Sequence, residues 1–150
     1  MTMESNTELV RRDAEEIWSE GNIEVINEIF HEDFVLHDPS SPDEEGGRDD
    51  YREYVETYRR AFPDAEYTVE KEVAEDDFVS VRYTARGTHE GELMDIEPTG
   101  EQVTVSGMEM YRVEDGKIAE MWTNYDTVGL LQQLDVLPPL DALVREANAD

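Results

Sequence analysis

The spacing of the apolar residues changes from helical to alternating at Pro63, and this change constrains the fold more than any other feature. Before Pro63, apolar residues recur three and four positions apart, which is the spacing of one helix face. After Pro63 they alternate with polar residues, as in a strand with one buried side. Helices grouped first and antiparallel strands grouped later predict an α+β fold, in which helices cover one face of a sheet.

Three helices are predicted over residues 7–20, 23–30 and 49–62, and a short one follows the last strand in TVGLLQQL. Between the second and third helices, residues 34–36 predict a short strand that leads into a loop, HDPSSPDEEGG. The chain of 150 residues has the length of a single domain. We place that domain at residues 1–137 and a polar C-terminal tail at residues 138–150.

The charge balance limits the partners of the protein. The chain has 39 acidic and 12 basic residues, for a formal net charge of −27. Such a surface repels phosphates, so we exclude nucleic acid as a partner. No apolar run approaches the ~20 residues of a membrane span, and the polar start does not resemble a signal peptide. We therefore expect no membrane partner and a cytoplasmic location. The absence of cysteine excludes disulfides and thiolate metal sites.

An acidic coat over a periodic apolar pattern also predicts the cytoplasm of an extreme halophile, where concentrated salt screens the repulsion between carboxylates. We expect the free energy of unfolding to rise between dilute buffer and molar salt, as measured by thermal or urea unfolding. Full stability in dilute buffer would contradict this hypothesis.

One acid interrupts an apolar strand face in the stretch VTVSGMEMYRVEDGKIAEMWTNYD, which has the pattern of two strands joined by a tight turn. Glu109 falls on the apolar side of the first strand, whose other members are Val103, Val105, Gly107, Tyr111 and Val113. Burial raises the pKa of a carboxyl group and strengthens the carboxylate as a base. Glu109 is therefore the first candidate for a functional residue.

Four further segments suggest a family: WSEGNIEVINEIFHEDFVLHDP, YRRAFPD, VRYTARGTHEGELMDIEPTGEQVTVSGMEMYRVEDGKIAEMW and DTVGLLQQLDVL. Together they resemble the SnoaL-like polyketide cyclases, from about residue 8 to residue 137. This family has the cone-shaped fold of nuclear transport factor two and ketosteroid isomerase. The resemblance implies a curved antiparallel sheet packed against three N-terminal helices, and a homodimer formed through the sheet.

The resemblance also implies a mostly apolar pocket for a small hydrophobic or cyclic carbonyl compound. Cyclases of this family close a ring by an intramolecular aldol reaction without a metal or an organic cofactor, so we expect neither. An acid in the pocket removes a proton next to a carbonyl group, and polar neighbours stabilise the enolate. The histidines His31, His37 and His89 are too widely spaced for a metal motif, and we expect His89 at the surface of a hairpin.

Three polar positions of the family pattern can be compared with this chain. Family members often carry an Asp directly after the Trp of the last strand, where this chain has Thr123. A histidine is frequent where Glu109 stands, and the histidine of the HDP segment is present as His37. A threonine hydroxyl is too weak a base to take a carbon-bound proton unaided. We therefore assign Glu109 as the base and His37 as a hydrogen-bond donor or second acid.

The turn after the first strand decides what Glu109 faces. A three-residue loop over Glu114–Gly116 places Glu109 opposite Met121, on the face shared by Thr123 and Tyr125. We favour this loop because it turns Thr123 inward, where the family alignment places the acid.

A two-residue turn formed by Asp115 and Gly116 is the alternative. It places Glu109 opposite Trp122 and beside Asn124, because one residue of register exchanges the two faces of a strand.

Glu109 and His37 both have purely structural alternatives. Glu109 would be structural if it formed an ion pair with Arg82, Arg86 or Arg112, and His37 if it only capped the turn of the HDP segment.

Further substrate-binding candidates lie at the end of the last strand and among the aromatic residues. Asn124 and Asp126 fall near the expected pocket mouth, although Asp126 is more readily explained as the N-cap of the following helix. Trp18, Tyr58 and Trp122 are candidates to line a cavity for a flat ring, although aromatic residues at helical spacing usually form core.

Two classes of function fit the sequence. The first is a cofactor-independent cyclase or isomerase that transfers a proton on a small carbonyl compound, with Thr123 and Tyr125 as polar lining. The second is a module that binds a hydrophobic ligand or serves as a dimeric scaffold without chemistry.

Overall fold

The helical half of the chain folds largely as the apolar spacing predicts. The computed structural model describes residues 3–41 and 45–149. Its first elements are α1, Met3–Arg12; a π-helical continuation of α1, Asp13–Ser19; α2, Val25–Ile29; and α3, Arg48–Ala61. The side chain of Asp50 accepts a hydrogen bond from the N–H of Gly47 at the start of α3, and Pro63 prevents its continuation.

The alternating half of the chain forms most of a six-stranded sheet. The strands are β1, Phe30–His37; β2, Glu45–Gly46; β3, Glu66–Glu75; β4, Phe78–Thr88; β5, Gln102–Glu114; and β6, Lys117–Tyr125. Their order is β2-β1-β6-β5-β4-β3. The α+β class is confirmed.

The sheet is mixed rather than wholly antiparallel. β1 runs parallel to β6, whereas every other neighbouring pair is antiparallel. β1 and β6 are far apart in the chain, so no hairpin turn sets their relative direction.

The two faces of the sheet differ in what covers them. The inner face packs against the helices and carries buried residues such as Val79 and Val81 of β4 and Tyr111 of β5. The outer face leaves large apolar side chains exposed, including Met108 and Met110 of β5. The core therefore lies between the inner face and the helices.

The turn between β5 and β6 has two residues, so the predicted three-residue loop is wrong. Glu114 and Lys117 are cross-strand partners, and the turn consists of Asp115 and Gly116. Both turn residues have positive φ, 53° and 76°, as the hairpin turns that match strand twist require.

A bulge in β6 then restores the facing that the longer loop was expected to produce. The extra residue is Ala119, which falls where the register of β5 and β6 shifts, and it is buried together with Ile118. Beyond the bulge, Glu109 pairs with Thr123 instead of Trp122. The inward position of Thr123 was therefore predicted correctly from an incorrect turn.

The C-terminal region contains more helix than the sequence predicts. α4 spans Thr127–Gln133, as expected, but the predicted polar tail contains a further helix, α5, over Leu140–Ala147. No residue of α5 is buried, so it contributes little to the core. None of the helices in residues 3–41 and 45–149 is long and apolar enough to cross a membrane.

The long connection between β4 and β5 also differs from expectation. His89 is completely buried rather than at the surface, because the N–H groups of Glu90 and Gly91 bond to the Ala61 carbonyl and dock the connection on the end of α3. Residues 42–44 of the loop predicted after β1 lie outside the described residues.

Candidate functional site

Glu109 lies on the inner face of β5, where the alternation of the sequence places it. Its partners on the neighbouring strands, Val81 and Thr123, are 3% and 1% exposed. The Thr123 hydroxyl donates to Oε2 of Glu109 at 3.1 Å, and the Tyr111 hydroxyl lies 2.9 Å from Oε1. Part of the Glu109 side chain remains accessible, so the carboxyl group is held without being sealed off.

None of the arginine partners considered as an alternative pairs with Glu109 in the described part of the chain. Arg112 instead bonds Glu120 at 3.0 Å on the outer face and lies 3.6 Å from Glu114. The alternation of the strand puts Arg112 and Glu109 on opposite faces, which excludes this ion pair.

A second acid, Asp13, meets Glu109 through one hydroxyl group. Asp13 is 1% exposed, and its Oδ2 lies 2.7 Å from the Tyr111 hydroxyl that also contacts Glu109. The Tyr51 hydroxyl donates to Asp13 at 2.7 Å, and the indole N–H of Trp18 donates to the Tyr51 oxygen at 2.9 Å. Asp13 and Glu109, bridged by Tyr111, are called the acid pair below.

The π-helical segment brings Asp13 and Trp18 to the same partner. The two residues are five positions apart, a spacing that turns side chains to different faces of an α-helix. The wider π-helical turn, with its i→i+5 hydrogen bonds, lets both contact the Tyr51 hydroxyl. A local departure from α-helical geometry therefore builds one side of the site.

Sequence reasoning missed Asp13, although a signal for it exists. Asp13 lies three residues after Val10 and four before Ile17, so it occupies the apolar stripe of the first helix. An acid at an apolar position is the same feature that singled out Glu109. Its significance was hidden among 39 acidic residues.

Burial sets the ionisation of the acid pair. Burial and, after it, the nearby charge of Asp13 together raise the pKa of Glu109 to about 8, against the hydrogen bonds from Tyr111 and Thr123. Burial also raises the pKa of Asp13 to about 6, against the hydrogen bonds from Tyr51 and Tyr111. Glu109 is consequently the acid of the pair that keeps its proton to higher pH.

An aromatic cavity of about 40 Å³ lies between the inner face and the helices. This volume holds a few water molecules. Its walls are mainly aromatic and apolar, and the lining residues are Trp18, Tyr54, Tyr58, Arg59, Phe62, Ala65, Tyr67, Tyr83, Ala85, Arg86, Gly87, Val103, Val105, Tyr125 and Leu130. No carboxylate is among them, so the acidic coat does not extend into the cavity.

Tyr83, which lines the cavity, also lies close to Glu109. Along the inner face of β5, Gly107 comes between the lining residue Val105 and Glu109. The Tyr83 hydroxyl crosses Gly107 so closely that a Cβ there would lie 2.5 Å from it. The charge of Glu109 also raises the pKa of Tyr83, after burial, which is consistent with their proximity.

Four predicted site residues lie on the side of the acid pair. Thr123 bonds Glu109 directly, and Trp18 bonds Tyr51 and also lines the cavity. Tyr58 and Tyr125 both line the cavity, and their hydroxyl groups contact each other across it.

Three other predicted site residues lie on the outer face, away from Glu109. His37 bonds Glu120 at 2.6 Å and stacks on Trp122 with ring centroids 5.2 Å apart, and Asn124 is exposed. His37 and Glu109, assigned from the sequence to one pocket, lie on opposite faces, because the β6 residues that contact His37 alternate with those that face the cavity. Sequence reasoning could not foresee the parallel contact of β1 and β6.

Asp126 caps α4, as the structural alternative predicted. Its Oδ1 accepts a hydrogen bond from the N–H of Gly129 at 2.8 Å. A carboxylate occupied in this way contributes roughly 1 kcal/mol to helix stability.

One group of side chains has the spacing of metal ligands within the described ranges 3–41 and 45–149. Ligand atoms of His31, Glu114 and Asp115 lie within 4.8 Å of one another at the β5–β6 turn. However, Nδ1 of His31 already accepts a hydrogen bond from the N–H of Asp33, so its neutral ring carries the proton on Nε2. The group is remote from the acid pair, and the expected absence of a metal cofactor stays a prediction.

Fold and site together define a small α+β pocket protein with a buried acid on the inner face of its sheet. The family model for the SnoaL-like polyketide cyclase matches residues 8–134. The chain therefore belongs to the SnoaL-like polyketide cyclase family. No match was found among curated proteins.

Solved structures with the same fold come from several bacteria. AclR of Streptomyces galilaeus, described as "a putative hydroxylase", is 30% identical with a TM-score of 0.84, over 99% of this chain and 96% of its own. IdmH of Streptomyces antibioticus, "a putative polyketide cyclase", is 31% identical with a TM-score of 0.77, over 87% and 99%. A protein of Acidithiobacillus ferrooxidans with the same description is 32% identical with a TM-score of 0.79, over 90% and 98%.

The raised pKa of Glu109 predicts a pH dependence of stability. Between the ordinary value of 4.5 and about 8, the folded protein keeps a proton that the unfolded chain releases, so the free energy of unfolding falls as pH rises. Glu109→Gln removes this contribution. As pH rises from 4.5 to about 8, we expect the difference in free energy of unfolding, variant minus wild type, to increase by a few kcal/mol.

The measurement is chemical unfolding in molar salt at several pH values. Glu56→Gln is the matched control, because it removes the same charge from an exposed position on α3. Identical pH dependence in the two variants would contradict the burial of an ionisable Glu109 carboxyl group.

Proposed function

We propose that the protein is a cofactor-independent cyclase or isomerase that transfers a proton on a small carbonyl compound, with Glu109 as the base. The observation that carries this proposal is the partly accessible Glu109 carboxyl group on the inner face, held by Tyr111 and Thr123 beside an aromatic cavity. A general base works best when its pKa lies near the operating pH. The descriptions of IdmH and the Acidithiobacillus protein support this class of reaction.

The proton balance of the proposed reaction is simple. The Glu109 carboxylate takes a proton from the carbon next to a substrate carbonyl group, and the electrons of the broken C–H bond form an enolate. In a cyclase, the enolate carbon attacks a second carbonyl group of the same molecule, and Glu109 returns the proton to the resulting alkoxide. In an isomerase, it returns the proton to a different carbon.

The hydroxyl pair of Tyr58 and Tyr125 is the proposed donor to the substrate oxygen. One of the two hydroxyl groups donates to the other, so one O–H remains free for a further acceptor in the cavity. Burial raises the pKa of Tyr58, which keeps its hydroxyl protonated. A hydrogen bond aimed at developing oxyanion charge lowers the barrier for enolate formation.

The cavity must enlarge before it accepts a ring compound. Ligand sites of this kind typically have volumes of about 300–1,000 Å³, whereas this cavity measures about 40 Å³. Rotation of Tyr83 away from Gly107 would both enlarge the cavity and expose Glu109 to a ligand.

The test begins with a thermal-shift screen of small carbonyl compounds in molar salt, followed by turnover assays of the compounds that stabilise the protein. We expect Glu109→Gln to lower kcat by about 10²–10⁴-fold and to leave ligand stabilisation in place. Wild-type kcat should rise with pH through about 8, because the base must lose its proton first. Undiminished turnover in Glu109→Gln would remove Glu109 from the mechanism, and Glu56→Gln should retain full activity.

The alternative function is ligand binding without chemistry. The specific observation in its favour is Thr123, which occupies the position where the family alignment expects an acid. In that case, the protein would bind the compounds that stabilise it without converting them to products, and Glu109→Gln would alter only their affinity.

A homodimer formed through the outer face of the sheet is part of the proposal. The described outer face exposes Phe78, Met108 and Met110 beside the partly buried Trp122, an apolar patch on a chain with a net charge of −27. Large exposed apolar patches on soluble proteins mark interaction sites. The cytoplasmic location, the halophilic habitat and the absence of a cofactor stay predictions from the sequence.

We expect sedimentation equilibrium in molar salt to give the mass of two chains. Met110→Glu should give the mass of a single chain, because it places a charge at the centre of the patch. Thr57→Glu on α3 should leave the dimer intact. A monomeric wild type at micromolar concentration would contradict the dimer.

A further inference from the structure

We propose that Asp13 is a positioning residue for Glu109, and that the two carboxyl groups share one proton through the Tyr111 hydroxyl group. The functional consequence of this shared proton rests on the proposed role of Glu109 as the base, but the shared proton itself is a property of the folded protein. The geometry that carries the inference is the pair of short contacts made by a single oxygen atom, 2.7 Å to Asp13 and 2.9 Å to Glu109.

Counting hydrogen atoms shows why a proton is needed. The Tyr111 hydroxyl has one hydrogen and therefore donates to only one of the two carboxyl groups. The other contact then joins two oxygen atoms at hydrogen-bond distance, and it is attractive only if that carboxyl group donates its own proton. With both groups ionised, one of the two contacts would be repulsive. The arrangement therefore fits one neutral and one charged carboxyl group.

The surroundings offer no other way to neutralise the pair. Among the residues the structure describes, the hydrogen-bond partners of Asp13 are only Tyr51 and Tyr111, and those of Glu109 are only Tyr111 and Thr123. The titratable groups that interact with the pair from the helices and strands around it are all tyrosines: Tyr51, Tyr67, Tyr83 and Tyr111. Burial raises the pKa of each, so they remain neutral. Two adjacent negative charges in such surroundings repel each other strongly.

Tyr51 and Trp18 determine which acid carries the charge. The Tyr51 hydroxyl donates to Asp13 while its own oxygen accepts from the Trp18 indole, so its hydrogen is committed to Asp13. Asp13 thus has a charge-stabilising donor that is fixed in position, whereas Glu109 has the weaker contact from Thr123 at 3.1 Å. The raised pKa of Glu109, to about 8 against about 6 for Asp13, is consistent with a proton on Glu109 at neutral pH.

At pH values below the Glu109 pKa of about 8, the bridge also provides a minor route by which Glu109 becomes a base without losing its proton to water. The O–H bond of Glu109 breaks as its proton passes to the Tyr111 oxygen, and the original Tyr111 proton passes to Asp13. The products are a Glu109 carboxylate, an intact Tyr111 hydroxyl and a neutral Asp13, so charge moves from one carboxyl group to the other and no proton is gained or lost. Asp13 would act on the substrate only through Tyr111 and Glu109.

The test is a pH titration of the two carboxyl groups by infrared difference spectroscopy, which detects the C=O stretch of a protonated acid. Spectra of Glu109→Gln assign the Glu109 signal. We expect Asp13→Asn to lower the ionisation midpoint of Glu109 by about one pH unit or more, because a neighbouring negative charge is removed. We expect Tyr111→Phe to raise the ionisation midpoint of Asp13, because a donor to the Asp13 carboxylate is lost.

Opposite shifts distinguish a shared proton from a merely structural role, which would alter stability without moving the two midpoints in opposite directions. Asp13 ionises while Glu109 is still protonated, so Glu109→Gln should leave the Asp13 midpoint nearly unchanged, whereas Asp13→Asn lowers the Glu109 midpoint. An unchanged Glu109 midpoint in Asp13→Asn would overturn the inference. If that variant fails to fold, a Tyr111→Phe variant in which both midpoints are unchanged would overturn it.

Failure of this inference is distinguishable from failure of the proposed function. The predicted midpoint shifts in Asp13→Asn and Tyr111→Phe, without turnover of any carbonyl compound, would preserve the shared proton and exclude the proposed enzyme activity. Loss of turnover in Glu109→Gln without coupling to Asp13 would preserve the base and remove its positioning residue.

Discussion

The burial of two carboxyl groups with only hydroxyl groups to satisfy them is the constraint on which the site depends. A buried charge without a cation or several donors is strongly destabilising, and a carboxyl group relieves that cost by keeping its proton. Tyr111 connects Asp13 and Glu109, so the protonation of one group affects the other. The fold therefore keeps titratable groups at positions where apolar side chains would be more stable. Titratable groups in such surroundings cluster at functional sites.

The same alternation that directs Glu109 inward places alternate residues of β6 on opposite faces of the sheet. Thr123 and Tyr125 face the helices, where they contact Glu109 and line the aromatic cavity. Trp122 and Asn124 face outward and share that surface with His37. A change of one residue in register would exchange these two sets. The bulge in β6 therefore keeps the pocket residues on the inner face and the residues of the proposed dimer surface on the outer face.

Periodicity was sufficient to predict the α+β class and the facing of Glu109, because burial on one side of an element leaves a regular trace in the sequence. The two-residue turn was the alternative to the favoured loop. The bulge at Ala119, which cancels the effect of this turn on the facing of β6, was not predictable because only the packing of β6 reveals it. Asp13 was missed because its place on the apolar stripe of the first helix was hidden among 39 acidic residues, and the π-helical turn that brings it and Trp18 to Tyr51 has no clear sequence signature. His37 was misplaced because the contact of β1 with β6 arises from tertiary packing.

The most direct test of this account is neutron diffraction from a perdeuterated crystal at neutral pH, which locates the hydrogen atoms of the acid pair. We predict a deuterium on the Oε1 atom of Glu109 directed at Tyr111, and the Tyr111 deuterium directed at Asp13. Two unprotonated carboxylates, with a cation or a water molecule separating them from Tyr111, would contradict the shared proton and the raised basicity derived from it.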